Sequence, residues 1–304
     1  MRVGLLYSRI RRDEKLVLTE LRDRDHEVLK ADVRELRFGL SEPPAAIADA
    51  DVVLDRCGAT SRSRYVTRFC DAYGIPVVNS SETTDVCSDK VKTSLALEAA
   101  GVPTPRTEVA FTAEAALEAV ESFGYPCVLK PVVGSWGNLL AKLDTRAAAE
   151  AVIEHKETLG HYEHKVFYVQ EWIDKPGRDI RVVAADGEPV AAMTRSADHW
   201  LTNAARGAET APFDLDDRAR ELVAEASAAV GGGLLGVDLM ETPGRDEAYT
   251  VHEVNDAVEF KALSDTVDVD VAGRIVDWLE VRAEAADSGG EAKRDADESE
   301  VAGR

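Results

Sequence analysis

Apolar and polar positions change their period several times along the chain. Val3-Gly4-Leu5-Leu6-Tyr7 is an unbroken apolar run behind a charged residue, as expected of a strand covered on both faces. Leu16, Leu18 and Leu21 supply the buried face of a helix over 13–24. Further strands are expected over 27–30, 52–55 and 75–78, with a helix over 65–73 that ends at Gly74 before Pro76. This alternation predicts a small parallel βαβ unit. It carries no G-x-G-x-x-G turn, so a dinucleotide fingerprint is not supported.

A second unit opens with a helix over 89–100, closed by Gly101, Pro103 and Pro105. A strand over 107–110, a helix over 113–123 and a strand over 126–130 follow. The loop Pro131-Val132-Val133-Gly134-Ser135-Trp136-Gly137-Asn138 then leads to another strand ending at Leu143. In a third unit, strands over 166–170, 180–185 and 189–193 precede a polar loop over 196–212 and a helix over 216–230. Gly231, Gly232 and Gly233 break that helix, and strands over 234–240 and 249–254 close the unit before an amphipathic helix over 269–279. The later residues are rich in Ala, Gly, Ser, Asp and Glu, with little to bury, and read as a disordered acidic tail. The expected division is 1–88, 89–167 and 168–280, with the tail over 281–304.

Composition narrows the function classes. No stretch approaches the roughly 18 apolar residues of a membrane span, and the first apolar run is too short for a signal peptide, so a cytoplasmic protein is expected. A net charge of −21 opposes binding to a nucleic-acid backbone and fits a surface adapted to high salt. Cys57, Cys70, Cys87 and Cys127 are scattered without a CxxC pair, which suggests reduced thiols rather than zinc or disulfides.

Four features carry candidate chemistry, and each alone has an ordinary structural reading. Lys130 ends an apolar strand just before the glycine loop, where backbone amides and an ammonium could hold a polyphosphate. Tyr168-Val169-Gln170-Glu171-Trp172-Ile173 is a strand end able to offer an apolar slot and edge hydrogen bonds to adenine. Asp238 and Glu253 lie in apolar strands, where unpaired charge is costly, and Asn255 shares a strand face with Glu253. Such oxygen donors suit Mg²⁺. Arg178, Arg181, Arg195 and Arg206 form a basic set able to neutralise a transferring phosphoryl group or hold a substrate carboxylate.

Together these segments resemble the ATP-grasp superfamily, α/β proteins with an N-terminal Rossmann-like pre-ATP-grasp domain, and more closely its RimK-like branch. The resemblance runs from Met1 to about Glu280. It is carried by Lys-Pro-Val-Val-Gly-Ser-Trp-Gly (130–137), Lys-Pro-Gly-Arg-Asp-Ile-Arg-Val (175–182), Thr-Asn-Ala-Ala-Arg-Gly (202–207) and Glu-Val-Asn-Asp-Ala-Val-Glu-Phe-Lys (253–261). Within the branch it is similar to ligases that attach glutamate or 2-aminoadipate to a small acidic amino-group carrier protein of the LysW type, in arginine and lysine biosynthesis.

The resemblance implies ATP and Mg²⁺ as cofactors, with two ions expected and Mn²⁺ able to substitute. It matches Lys90 and Lys130 to lysines on the ATP phosphates, and Gly134, Ser135, Trp136 and Gly137 to the cover over the triphosphate. Gln170, Glu171 and Ile173 match the adenine strand, and Asp179 a contact near the ribose. Asp238, Glu253 and Asn255 match the metal ligands. Arg195, Asn203 and Arg206 match residues near the transferring phosphate and the amino acid, with Lys130, Arg195 and Arg206 in catalytic roles. The implied reaction phosphorylates a carboxylate, after which an amine displaces phosphate. A homodimer or tetramer is also implied. Ala204, Ala208, Asp256 and Ala257 depart from the branch's usual pattern near the amino-acid pocket, which leaves glutamate or 2-aminoadipate open, with a lean to glutamate. An acidic carrier would need a local basic patch on this acidic chain, for which Arg56, Arg62, Arg64 and Arg68 are candidates. A RimK-type ligase of a ribosomal protein or small cofactor, and a non-catalytic ATP-binding regulator, are the alternatives.

Overall fold

A computed structural model describes residues 1–134, 139–159, 165–202 and 207–285. The chain begins with β1 (Arg2–Tyr7), α1 (Arg12–Asp23), β2 (Glu27–Asp32), β3 (Val52–Arg56), α2 (Thr60–Tyr73) and β4 (Val77–Val78). These strands form a sheet in the order β2-β1-β3-β4, parallel throughout, as the apolar runs predict. α2 starts five residues before the expected position because Ser63 and Thr67, polar in sequence, are buried against the sheet.

α3 (Ser81–Cys87), which the hydrophobic pattern does not reveal, is capped by the Ser80 side chain. α4 (Lys90–Ala99) follows, with the Asp89 side chain accepting from the backbone N–H groups of Val91 and Lys92. Next come β5 (Thr107–Ala110), α5 (Ala113–Phe123), β6 (Cys127–Lys130), β7 (Ala141–Leu143), α6 (Arg146–Leu159) and β8 (Phe167–Glu171). They build an antiparallel sheet ordered β5-β8-β6-β7. β8 pairs with both β5 and β6, so this strand belongs to the central sheet, and the expected boundary at 167/168 cuts it after its first residue.

The third unit holds β9 (Arg178–Ala185), β10 (Glu188–Ser196), β11 (Glu209–Pro212), α7 (Asp217–Ala229), β12 (Leu234–Glu241), β13 (Tyr249–Asn255) and α8 (Lys261–Thr266). Its strands run antiparallel in the order β11-β10-β9-β12-β13. A last helix, α9, covers 271–285. Residues 281–285, expected in the tail, are therefore helical, and Ala283 lies buried in the same core as Ile275, Val276 and Leu279. Residues 286–304 lie outside the described residues.

The N-terminal and C-terminal units share one core. Val3, Leu5, Leu18 and Leu21 pack in the same cluster as Val183, Leu234, Phe260 and Ile275. Polar contacts at this joint fix the segment that follows β13. Asn79 Nδ2 donates to the carbonyls of Leu234 and Asp256, both at 2.9 Å, and its Oδ1 accepts from the Leu234 N–H at 2.6 Å. Asp13 Oδ1 accepts from the N–H groups of Phe260 and Lys261 at 2.7 and 2.8 Å. Arg56 Nη1 donates to the carbonyl of Val258 at 2.8 Å, and its guanidinium lies 3.0 Å from Glu14. Arg56 is buried, so it cannot belong to a surface docking patch as the sequence suggested; its charge serves this joint.

Candidate functional site

The central and C-terminal sheets meet where the ends of β6, β8, β9, β10, β12 and β13 bring their charged side chains together. Lys90 stands at the first position of α4, and its backbone N–H donates to the carbonyl of Val132 at 3.0 Å, tying the helix to the loop after β6. Its ammonium lies 2.8 Å from Glu253 Oε1 and donates to the carbonyl of Gly134 at 2.9 Å. Lys130, the last residue of β6, is buried and donates to Gln170 Oε1; its Nζ is 3.2 Å from His252 Nε2. Burial pushes the Lys130 ammonium down to about 7, with Glu253 opposing that fall and Lys90 adding to it.

Asp238 and Glu253 are direct cross-strand partners on β12 and β13, and Gly236 is opposite Asn255. A bulge at this point explains why Glu253 reaches the cleft. Tyr249, Val251 and Val254 all lie in one core cluster, so the two-residue alternation breaks between Val251 and Val254. Leu239 pairs with Val251 and Asp238 with Glu253, which leaves His252 as the extra residue. On a strand without this bulge Glu253, two residues on, would share Val251's face in the apolar core.

Arginines dominate the opposite side. Arg195 on β10 is buried, with Nε donating to Asp179 Oδ1 at 2.6 Å and Nη2 lying 3.0 Å from Asp238 Oδ1. Arg181 Nε lies 3.1 Å from the same Asp238 oxygen. Gly236 makes room for this arginine, since a Cβ there would stand 2.5 Å from Arg181 Nη1. Asp179 also accepts from Thr202 Oγ1, and Lys175 Nζ is 3.5 Å away. Burial raises the Asp238 carboxyl above its ordinary range, against the pull of Arg181 and Arg195. Glu253 is held below its usual range: burial alone would raise it, but Lys90, Lys130 and Arg181 more than offset that.

At the end of β8 the Glu171 carboxylate is fixed by Arg245, whose two terminal nitrogens each lie 3.1 Å from it, and by the Arg106 N–H at 2.9 Å. Ile173 is buried. Trp172 lies beneath Lys142 Nζ at 4.5 Å and beside Trp200, with ring centroids 5.8 Å apart. The side chains of Gln170 and Asp179, expected at the adenine and ribose, direct polar atoms to Lys130 and Arg195.

Lys90, Lys130, Gly134, Gln170, Asp179, Arg195, Asp238 and Glu253 are thus linked through one set of contacts, while Asn255 joins through its strand face. Ser135, Trp136, Gly137, Asn203 and Arg206 lie outside the described residues. Sequence reading missed His252, Lys175 and Arg245. Lys175 sits inside a quoted motif and His252 directly precedes Glu253, but nothing in their spacing marks a role.

The donor set suits a hard divalent ion. Asp238 and Glu253 offer carboxylate oxygens from adjacent strands, and the buried Asn255 Nδ2 has no hydrogen-bond partner among the described residues. Asn255's amide can present its oxygen by rotating about the terminal bond. Among the described residues no group of three or more His, Cys, Asp or Glu converges, so Asn255 and ligand oxygens would complete the coordination. Among them, too, no helix is long and apolar enough to cross a membrane.

Two family models cover the chain: a LysX preATP-grasp domain matches residues 3–86 and a RimK-like ATP-grasp domain matches residues 87–279. A relative named glutamate–LysW ligase ArgX, from Sulfurisphaera tokodaii, is 32% identical over 283 residues, 92% of this chain and 98% of that protein. One named alpha-aminoadipate–LysW ligase LysX, from Saccharolobus solfataricus, is 35% identical over 214 residues, 70% of this chain and 77% of the relative. Among solved structures, a RimK domain ATP-grasp protein from Sphaerobacter thermophilus superposes with a TM-score of 0.77 at 29% identity, covering 91% of this chain and 99% of that one.

Proposed function

The chain belongs to the RimK-like ATP-grasp family, and from that membership we propose that it is an ATP-dependent ligase of glutamate, or of 2-aminoadipate, acting on a LysW-type carrier protein. The bond formed is an amide between the amino acid's α-amine and the side-chain carboxylate of the carrier's C-terminal glutamate. One observation supports this most directly. In a chain of net charge −21, Lys90, Arg181 and Arg195 converge on Asp238 and Glu253 in a single cleft, with Lys130 beside them on His252. Such a concentration of cations offsets charge on a transferring phosphoryl group.

Lys90 and Lys130 would hold the phosphates of ATP. The end of β8, from Glu171 to Ile173, would take the base. Asp238, Glu253 and Asn255 would hold Mg²⁺, proposed as two ions with Mn²⁺ as a substitute, and the metal would neutralise phosphate oxygens. Arg195 faces the same carboxylate as the metal site and is anchored by Asp179, so its guanidinium is preorganised for the charge that develops as the phosphoryl group reaches the carboxylate. The amine then attacks the acyl phosphate, its nitrogen forming the new C–N bond as the C–O bond to phosphate breaks. No side-chain nucleophile is needed. Arg206, Asn203 and the 134–137 loop keep the roles their motifs imply.

The carrier is proposed to dock on α2 and α4. Arg64 and Arg68 lie 2.6 and 3.7 Å from Asp85, and Lys92 shares that carboxylate, so three cations surround one acid. The exposed residues Arg62, Tyr65 and Leu95 lie on the same two helices. The first turn of α4 carries Lys90 into the cleft and Lys92 onto this face. A cytoplasmic homodimer or homotetramer completes the proposal on family resemblance alone. Ligation assays with glutamate and 2-aminoadipate, using the carrier from the same genome and mass spectrometry of the carrier, test it. ADP and phosphate release with no mass added to the carrier by either amino acid would refute the proposed substrates.

A further inference from the structure

Among the described residues, His252 and Lys130 form a contact that no motif predicts. Lys130 Nζ has Gln170 Oε1 and His252 Nε2 (3.2 Å) as its hydrogen-bond partners. With Lys130 charged, its ammonium has three N–H donors and no acceptor, so His252 Nε2 accepts from it and the imidazole proton sits on the buried Nδ1, which has no partner among the described residues. Gln170 is held just as firmly. Its Nε2 donates to Thr107 Oγ1 at 2.9 Å and to Tyr168 Oη at 3.0 Å, and the Tyr168 hydroxyl is 2.8 Å from Ser94 Oγ. The amide therefore cannot turn its oxygen away from Lys130 without losing both donor contacts.

Both partners of Lys130 are neutral acceptors. By contrast, Lys90 lies on the Glu253 carboxylate. A carboxylate partner offsets part of an ammonium's charge, whereas neutral acceptors fix an ammonium and leave its full charge to the phosphate. The β13 bulge makes this arrangement reachable. On a regular strand consecutive side chains point to opposite faces, yet His252 meets Lys130 while the next residue, Glu253, meets Lys90 in the same cleft.

We infer that His252 is a positioning residue: with Gln170 it forms a two-acceptor cradle that directs the one remaining N–H of Lys130 at the nucleotide's phosphate. The inference rests on the proposed reading of Lys130 as a phosphate ligand. It makes the bulge residue, rather than a sequence motif, responsible for the aim of the phosphate-binding lysine.

Three substitutions at one position test it. Glutamine places its Oε1 near the position of imidazole Nε2, asparagine reaches only as far as Nδ1, and phenylalanine fills the volume with no acceptor. Calorimetric titration with AMPPNP and with adenosine, in Mg²⁺, should show AMPPNP binding weakened about tenfold or more in His252→Phe and His252→Asn, the scale of one hydrogen bond to a charged group. Adenosine binding should be unchanged, and His252→Gln should recover most of the loss. Side-chain ¹⁵N-lysine spectra supply a readout that needs no nucleotide, with the Lys130 signal assigned from Lys130→Met. Hydrogen exchange at Nζ should be slow in the wild type and in His252→Gln, and faster in His252→Phe. Equal exchange in wild type and His252→Phe, equal losses for adenosine and AMPPNP, or failure of glutamine to restore either readout would overturn the cradle. A wild-type chain that binds AMPPNP no better than adenosine would instead overturn the phosphate reading of Lys130, with the exchange data still deciding whether the cradle exists.

Discussion

Replacing Glu14 with glutamine probes the joint between the N-terminal unit and the segment after β13. Glu14 is fully buried and Arg56 nearly so, with 3.0 Å between their charged atoms. Glu14 also accepts from the Arg11 backbone N–H at 2.6 Å, which completes a capping box at the start of α1. Glutamine keeps the size and one acceptor oxygen, so the helix cap should survive. What disappears is the charge opposite Arg56, whose Nε and Nη2 both lie 3.0 Å from Glu14 Oε1 and whose Nη1 is committed to Val258. Removing one member of a buried pair costs about 3–5 kcal/mol, and the retained acceptor places this case near 3 kcal/mol. Urea unfolding at fixed high salt is the assay, because salt screens exposed pairs far more than buried ones. Arg12→Ala, which breaks an exposed pair with Asp265, is the control and should cost less than about 1 kcal/mol. pH gives a second check. Burial alone would raise the Glu14 carboxyl, but Arg11 and Arg56 hold it below its ordinary value. A depressed folded pKa stabilises above the unfolded value, about 4.3, and that stability is lost as pH falls through the folded pKa. The gap between wild type and variant should therefore close below about pH 4. A cost under about 1 kcal/mol at pH 7, or a gap that stays constant into acid, would refute the buried-pair reasoning.

Arg195→Lys keeps a charge but loses the fork that spans Asp179 and Asp238, and should lower kcat about 10²–10³-fold; a change confined to the KM for ATP would count against its proposed role. Combined Arg64→Glu and Arg68→Glu should raise the KM for the carrier about tenfold or more while leaving AMPPNP affinity unchanged, and unaltered carrier kinetics would remove the α2 docking face. Gly233→Ala should destabilise the chain by about 2 kcal/mol in urea, because φ is +106° and the new Cβ would stand 2.2 Å from Asn79 Oδ1; wild-type stability would show that Asn79 can yield.

Much of the architecture was legible in periodicity. Unbroken apolar runs became β1, β3 and β12, and Gly74 and Gly101 follow α2 and α4 as their spacing indicated. α3 was hidden because its buried faces use Thr83 and Thr84, which carry no apolar signal. The tail appeared to begin too early because a run of Ala and Glu gives little hydrophobic contrast, although Ala283 packs into the core. Lys130, Asp238 and Glu253 stood out in the sequence, since charge inside an apolar strand already implies a compensating partner.

Which partner each charge takes was not legible, because partner choice depends on strand pairing across long sequence separations. Arg56 looked like one of four surface arginines until the joint between two units buried it on Glu14. That the side chains of Gln170 and Asp179 hold Lys130 and Arg195 was likewise not legible. The sequence by itself determined most of the strands along the chain, though not β11 in the stretch read as a polar loop, together with the cations it carries and the family to which it belongs. Only the tertiary structure decided that His252 and Glu253, adjacent in sequence, face the same cleft. The physical reason is the register: one unpaired residue on β13 shifts the alternation, and that shift is set by the pairing with β12, which no local pattern records.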